Sequence, residues 1–149
     1  MAKEKEKKET TEFGQEKEVL KTHLAIDKTF SGDILELEKG KCVVSFTTTK
    51  EMKVDDMGLV HGGFTFGAAD FAAMAAVNDP NVVLAEATVK FLAPVEIGKT
   101  VTFEANSSHL GTRTRDVKVV GMIGEIKVFE GIFKAVVLER HPLRLKLTD

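Results

Sequence analysis

The stretch that decides the fold is "GLVHGGFTFGAADFAAMAAVND", residues 58–79. A histidine and two glycines lead into a run drawn almost entirely from Ala, Phe, Met and Val, with one carboxylate, Asp70, in its middle. Apolar residues point in nearly every direction around the helical period. The predicted helix, from about Gly62 to Val77, is therefore one that other elements must cover. Asp is a poor helix-interior residue, and burying it unpaired costs several kcal/mol or raises its pKa. Its neighbours at helical spacing, Phe66, Gly67, Ala73 and Met74, offer it no partner. Such an acid is a candidate general base or nucleophile. The alternative is that it faces a polar channel or a subunit seam and keeps the helix in register.

Outside this helix the hydrophobic period changes to two. "DILELEKGKCVVSFTTTK" (33–50) reads as a β-hairpin turning at "EKGK". Strand signals return at 81–94, 99–110, 112–123 and 125–140, separated by Pro94 with Gly98, by Gly111 and by Gly124 at hairpin-like spacing. The predicted order is two strands, one long helix and four strands, with the helix buried against an antiparallel sheet. This order resembles the hotdog fold, an α+β architecture in which a curved antiparallel sheet wraps around one long central helix.

At 149 residues the chain has room for one domain with a sizeable core. Residues 1–18 are a charged arm with almost nothing to bury, and residues 19–149 form the predicted domain. Within the latter, "EVLKTHLAI" (18–26) fits a short amphipathic helix at the domain edge. A net charge of −2 gives no electrostatic reason to expect nucleic acid or an anionic membrane as partner. No apolar run approaches a membrane span, and the N-terminus has no apolar core of a signal peptide. The single cysteine, Cys42, has no intrachain partner and no zinc-type spacing, which points to a reducing cytoplasm. His23, His109 and His141 have no metal-ligand spacing and read as surface residues, so no metal is expected.

The helix start carries its own chemistry. Gly62 and Gly63 allow close approach of a ligand or another backbone, and the first N–H groups of a helix favour an anion or a developing oxyanion. Gly62 and Asp70 are separated by roughly 12 Å along a helix axis. One carbonyl cannot touch both within a chain. If the helix start polarises a carbonyl and Asp70 activates water, the two come from different subunits of a homodimer.

"DDMGLVHGG", the Asp nine residues after the His, and "VKFLAPVEIGKTV" on the next strand resemble the hotdog acyl-CoA thioesterases of the phenylacetic-acid-degradation (PaaI-like) type, over about residues 30–140. The resemblance implies that the Gly62 N–H polarises the thioester carbonyl, that Asp70 of the partner subunit is general base or nucleophile, and that His61 shapes the site. It implies dimers that pair into tetramers and no cofactor, coenzyme A entering only as part of the substrate. Many relatives carry Asn six residues before the His, where this chain has Asp55. Some use a hydroxyl on the strand after the helix, where this chain has Leu84. Thr88, the nearest hydroxyl, has the alternation phase of Leu84 but lies further along the strand.

Further substrate contacts are assigned to Gly63, Asp55 and Phe66, with Phe64, Phe66, Phe71 and Met74 either lining an acyl pocket or packing on the sheet. Arg113 and Arg115, on one strand face, either meet CoA phosphates or form a solvated hairpin face, and Lys90 is a further basic candidate. The competing functions are a non-catalytic acyl-CoA-binding or sensing module and a hotdog hydratase or dehydratase. The sensor class typically brings a DNA-binding helix-turn-helix, for which the N-terminal arm is too short. The hydratase needs a His paired with an acid in another motif.

Overall fold

In a computed structural model, which describes residues 17–108 and 113–145, the long apolar run forms helix α2 (Gly62–Val77). A short helix α1 (Lys28–Ser31) precedes β1 (Asp33–Glu38) and β2 (Lys41–Thr47), and β3 (Val82–Phe91), β4 (Thr100–Ser107), β5 (Thr114–Ile123) and β6 (Ile126–Val137) follow α2. The six strands make one antiparallel sheet in the order β1-β2-β4-β5-β6-β3, curved around α2. Its inner face carries Val44, Phe46, Phe103, Val117, Val119, Phe129 and Phe133, all buried against the alanine-rich side of α2. An aromatic chain from Phe46 through Phe103 and Phe129 to Phe133 runs across this face, with ring centroids 5.8–6.4 Å apart. Among the described residues no helix is long and apolar enough to cross a membrane.

Three sequence expectations change. The segment over residues 18–26 is an irregular strap, not an amphipathic helix. Val19 and Leu24, which a helix would turn inward, are 63% and 73% exposed. The strap runs along one side of α2. Asn78, Phe71 and Phe64 lie successive pairs of turns apart on that side and hold it at three points. The Asn78 side chain accepts the Lys21 N–H at 2.7 Å and donates to the Val19 carbonyl at 2.9 Å. His23 lies against Phe71, and Phe30 of α1 stacks on Phe64. The two Asn78 bonds take up the Lys21 N–H and the Val19 carbonyl of the strap. His23 is accordingly half-buried with φ +55°, not a plain surface residue, and burial lowers its pKa.

Second, β3 and β4 are not a hairpin. β3 pairs with β6, β4 fills the place beside β2, and the crossing between them passes the start of α2. There the Val60 N–H donates to the Val95 carbonyl, and the Ile97 N–H to Gly58. Third, a bulge between Leu84 and Glu86 reverses the alternation of β3. Leu84 pairs with buried Ala135 on the inner face, while Thr88 pairs with Ile132 on the outer one, so the two do not share a phase. Residues 1–16 of the charged arm lie outside the described residues, as does His109. Lys17 and Glu18, the arm's last two residues, lie against β1.

Asn78 is the left-handed cap of α2 as well as the strap's anchor. Asn78→Gly keeps the backbone geometry and removes the strap bonds, with an expected loss of about 1–3 kcal/mol in urea unfolding. Asn78→Ala adds about 1 kcal/mol or more of left-handed strain. Equal stability of wild type and Asn78→Gly would show that this side chain does not hold the strap.

Candidate active site

The helix start is set by what surrounds it. Residues 53–60 form a small hairpin closed by the Lys53–Val60 bridge, and the His61 N–H donates to the Met52 carbonyl at 2.9 Å. Asp55 shapes this hairpin: its Oδ1 accepts the N–H of Met57 at 3.0 Å and of Leu59 at 3.2 Å. His61 is the N-cap residue of α2, but its side chain makes no capping bond. Its ring packs edge-on to Phe64 and folds over Gly63, where a Cβ would lie 3.0 Å from Nε2. A side chain at Gly63 would displace that ring. Among the described residues no acceptor takes the N–H of Gly62 or Gly63, and no acid lies in the first turn. The positive end of the helix is therefore available to an incoming oxygen.

Asp70 lies two turns on. Gly63, Phe66, Met74 and Val77 fall within about 40° of it around the helix. Along this stripe Gly63 is exposed, Phe66, Asp70 and Val77 are half-buried, and Met74 is buried. The sheet covers one flank of the stripe and the strap the other. Phe66 leans on Phe133 with centroids 5.4 Å apart. Asp70 Oδ1 is buried without a hydrogen-bond partner. Burial pushes its carboxyl up from 3.8 to about 6. Phe71 and Met74, by contrast, are core residues, and Phe64 belongs to the strap contact.

The remaining candidates are not gathered here. Lys90 lies on the outer face of the sheet, beside Thr88, Lys118 and Glu130 in a hollow of about 320 Å³. A larger outer hollow of about 520 Å³, lined by Glu104, Asn106 and Lys118, likewise contains none of the helix-start residues. Arg113 Nη2 is paired with Glu139 at 2.8 Å, both side chains being exposed, and Arg115 follows in β5 at half-buried depth. Cys42 is buried with its thiol pushed up to about 12, which removes it as a nucleophile at neutral pH. No cluster with metal-binding geometry occurs among the described residues. Sequence reasoning missed Phe91, whose ring lies 3.5 Å from the place of a Cβ on Gly62. Its signal was faint, because a Phe at a strand end reads as core.

The raised Asp70 value has a consequence for folding. Since it lies above the ordinary 3.8, folding favours the protonated acid. The penalty is absent below about pH 4, grows as pH rises, and is complete above about pH 6, at on the order of 3 kcal/mol. Asp70→Asn should therefore gain stability relative to wild type between about pH 4 and about pH 8 in parallel urea titrations. A difference independent of pH would contradict the buried, unpaired state.

A model of the thioesterase superfamily matches residues 57–129. Over 119 residues the chain is 48% identical to methylthioribose-1-phosphate isomerase of Aquifex aeolicus, covering 80% of this chain and 26% of that protein. It is 33% identical over 100 residues to acyl-coenzyme A thioesterase PaaI of Escherichia coli, covering 64% of this chain and 71% of that one. With transcription factor FapR of Shouchella clausii the identity is 29% over 111 residues, covering 74% and 58%. The chain thus spans about a quarter of the isomerase and little more than half of FapR. Among solved structures, the uncharacterized protein PH1136 of Pyrococcus horikoshii matches with a TM-score of 0.83 at 42% identity over 85% of this chain and 98% of that one. The Escherichia coli PaaI structure matches with a TM-score of 0.68 at 28% identity, over 80% and 88%. A six-stranded antiparallel sheet around one long helix, with these matches, places the chain in the thioesterase superfamily as a hotdog-fold protein of the PaaI-like type.

Proposed function

We propose that this protein hydrolyses acyl-CoA thioesters to free acid and coenzyme A, as a homodimer whose sites each join the α2 start of one protomer to Asp70 of the other. The observation that carries the reading is the half-buried Asp70 carboxyl, whose Oδ1 is buried without a partner in the middle of an apolar helix. A carboxyl near 6 is mostly ionised at neutral pH and is a stronger base than an ordinary aspartate.

In the reaction, Asp70 removes a proton from water as the water oxygen bonds to the thioester carbon. The carbonyl electrons move onto oxygen, where the Gly62 N–H donates to the developing charge. Collapse of this adduct breaks the C–S bond, and the proton held by Asp70 passes to the departing sulfur. One well-aimed oxyanion donor contributes roughly 3–4 kcal/mol and a positioned base about 10²–10⁴ in rate. His61, folded over Gly63, forms one wall of this site.

The roughly 12 Å between Gly62 and Asp70 along one helix supports the two-protomer arrangement. So does β3, a ten-residue strand at the end of the sheet order with one edge unpaired in the described chain.

The similarity to FapR, a transcription factor, favours a second reading in which this chain is a regulatory module and not an enzyme, one that would bind acyl-CoA without hydrolysing it. Thiol release from a panel of acyl-CoAs by wild type and Asp70→Asn decides between them. The expected result is wild-type turnover, reduced at least about a hundredfold in the variant with binding largely retained. Equal turnover would remove Asp70 from the chemistry, and binding without any turnover by wild type would favour the second reading.

A further inference from the structure

Next to the Gly62 backbone is a cavity of about 130 Å³, walled by Thr65 of α2, Phe91 of β3, Ala93 and Val95 of the crossing, and Val128 of β6. No charged side chain lines it. Thr65, Val95 and Val128 are buried. Phe91 differs from these walls. It is 53% exposed, rests edge-on against Phe129 at 5.4 Å, and lies over Gly62, so it stands between the cavity and solvent.

Resting on the thioesterase reading above, we infer that this cavity receives the acyl chain and that Phe91 sets the chain length accepted, making the substrate class short, uncharged aliphatic acyl-CoAs. The cavity begins where the thioester carbonyl would meet the Gly62 N–H, so the carbon chain leaving that carbonyl enters it directly. An apolar cavity of about 150 Å³ holds benzene, which sets the capacity here at about four to six carbons. A second carboxylate on the acyl chain would leave water for walls that offer it one hydroxyl, Thr65, and no cation, so dicarboxylic acyl groups are disfavoured. Because β3 and the crossing close the cavity opposite α2, the limit lies in the Phe91 ring and in small Ala93, not in the helix.

The test is kcat/KM of the full chain for acetyl-, butyryl-, hexanoyl-, octanoyl- and lauroyl-CoA, with succinyl-CoA as the charged counterpart of butyryl-CoA. Wild type should peak at butyryl- or hexanoyl-CoA and discriminate against succinyl-CoA by at least about a hundredfold. Phe91→Ala should move the peak to octanoyl-CoA or beyond, and Ala93→Leu should move it towards acetyl-CoA. The two substitutions change the cavity in opposite senses, so one soluble variant suffices beside the wild-type profile. An unchanged profile in a folded variant, or a wild-type preference for lauroyl- or succinyl-CoA, overturns the inference while leaving the thioesterase reading in place. Absence of thiol release from every acyl-CoA removes both.

Discussion

The structure depends on one constraint: α2 is apolar on almost every side and must be covered almost everywhere. The sheet covers its alanine-rich side with Phe46, Phe103, Phe129 and Phe133. The strap covers the side marked by Phe64, Phe71 and Asn78. The crossing between β3 and β4 passes its start and is bonded to the segment that leads into it, at Gly58 and Val60. What these three coverings leave is a narrow, partly covered stripe through Gly63, Phe66, Asp70 and Val77, interrupted by buried Met74.

Both ends of the candidate chemistry are held at a cost in stability. An uncapped helix start forgoes about 1 kcal/mol that a Ser or Asp cap would contribute. An unpaired, desolvated carboxylate works against folding at neutral pH. Proteins tolerate such features where function requires them. The two costs lie on one helix, too far apart for a single reacting carbonyl, and for that reason the proposed chemistry calls for two protomers. Among the described residues the outer edge of β3 is unpaired.

Much of this was legible in the sequence because it rests on local pattern. The helix bounds follow from Gly62, Gly63 and the end of the apolar run at Val77, and β1, β2, β5 and β6 follow from alternation and turn glycines. Asp70 stood out as the one acid in an apolar run. The strap was not legible: "EVLKTHLAI" has helical spacing, and the long-range contacts with Asn78, Phe71 and Phe64 override it. Pairing of β2 with β4, across an intervening helix and strand, is likewise a long-range choice that spacing does not encode. The bulge in β3 put Thr88 on the outer face, since one extra residue inverts every side chain beyond it. Asp55 was assigned to substrate from its place relative to His61, but its side chain is engaged by the backbone of its own hairpin. Phe91 escaped notice because its place over Gly62 is a long-range contact that spacing does not encode.

The most direct test of the central claim, a site divided between two protomers, is complementation of two crippled variants. Gly62→Pro removes the proposed oxyanion donor at a helix position where proline is tolerated. Asp70→Asn removes the proposed base. Each alone should be nearly inactive in thiol release. Mixed, dissociated and reassembled in equal amounts, they should recover roughly a quarter of wild-type activity, since about half the dimers are mixed and each of those has one intact site. No recovery, with reassembly verified, would place both groups in one protomer's site and contradict the account.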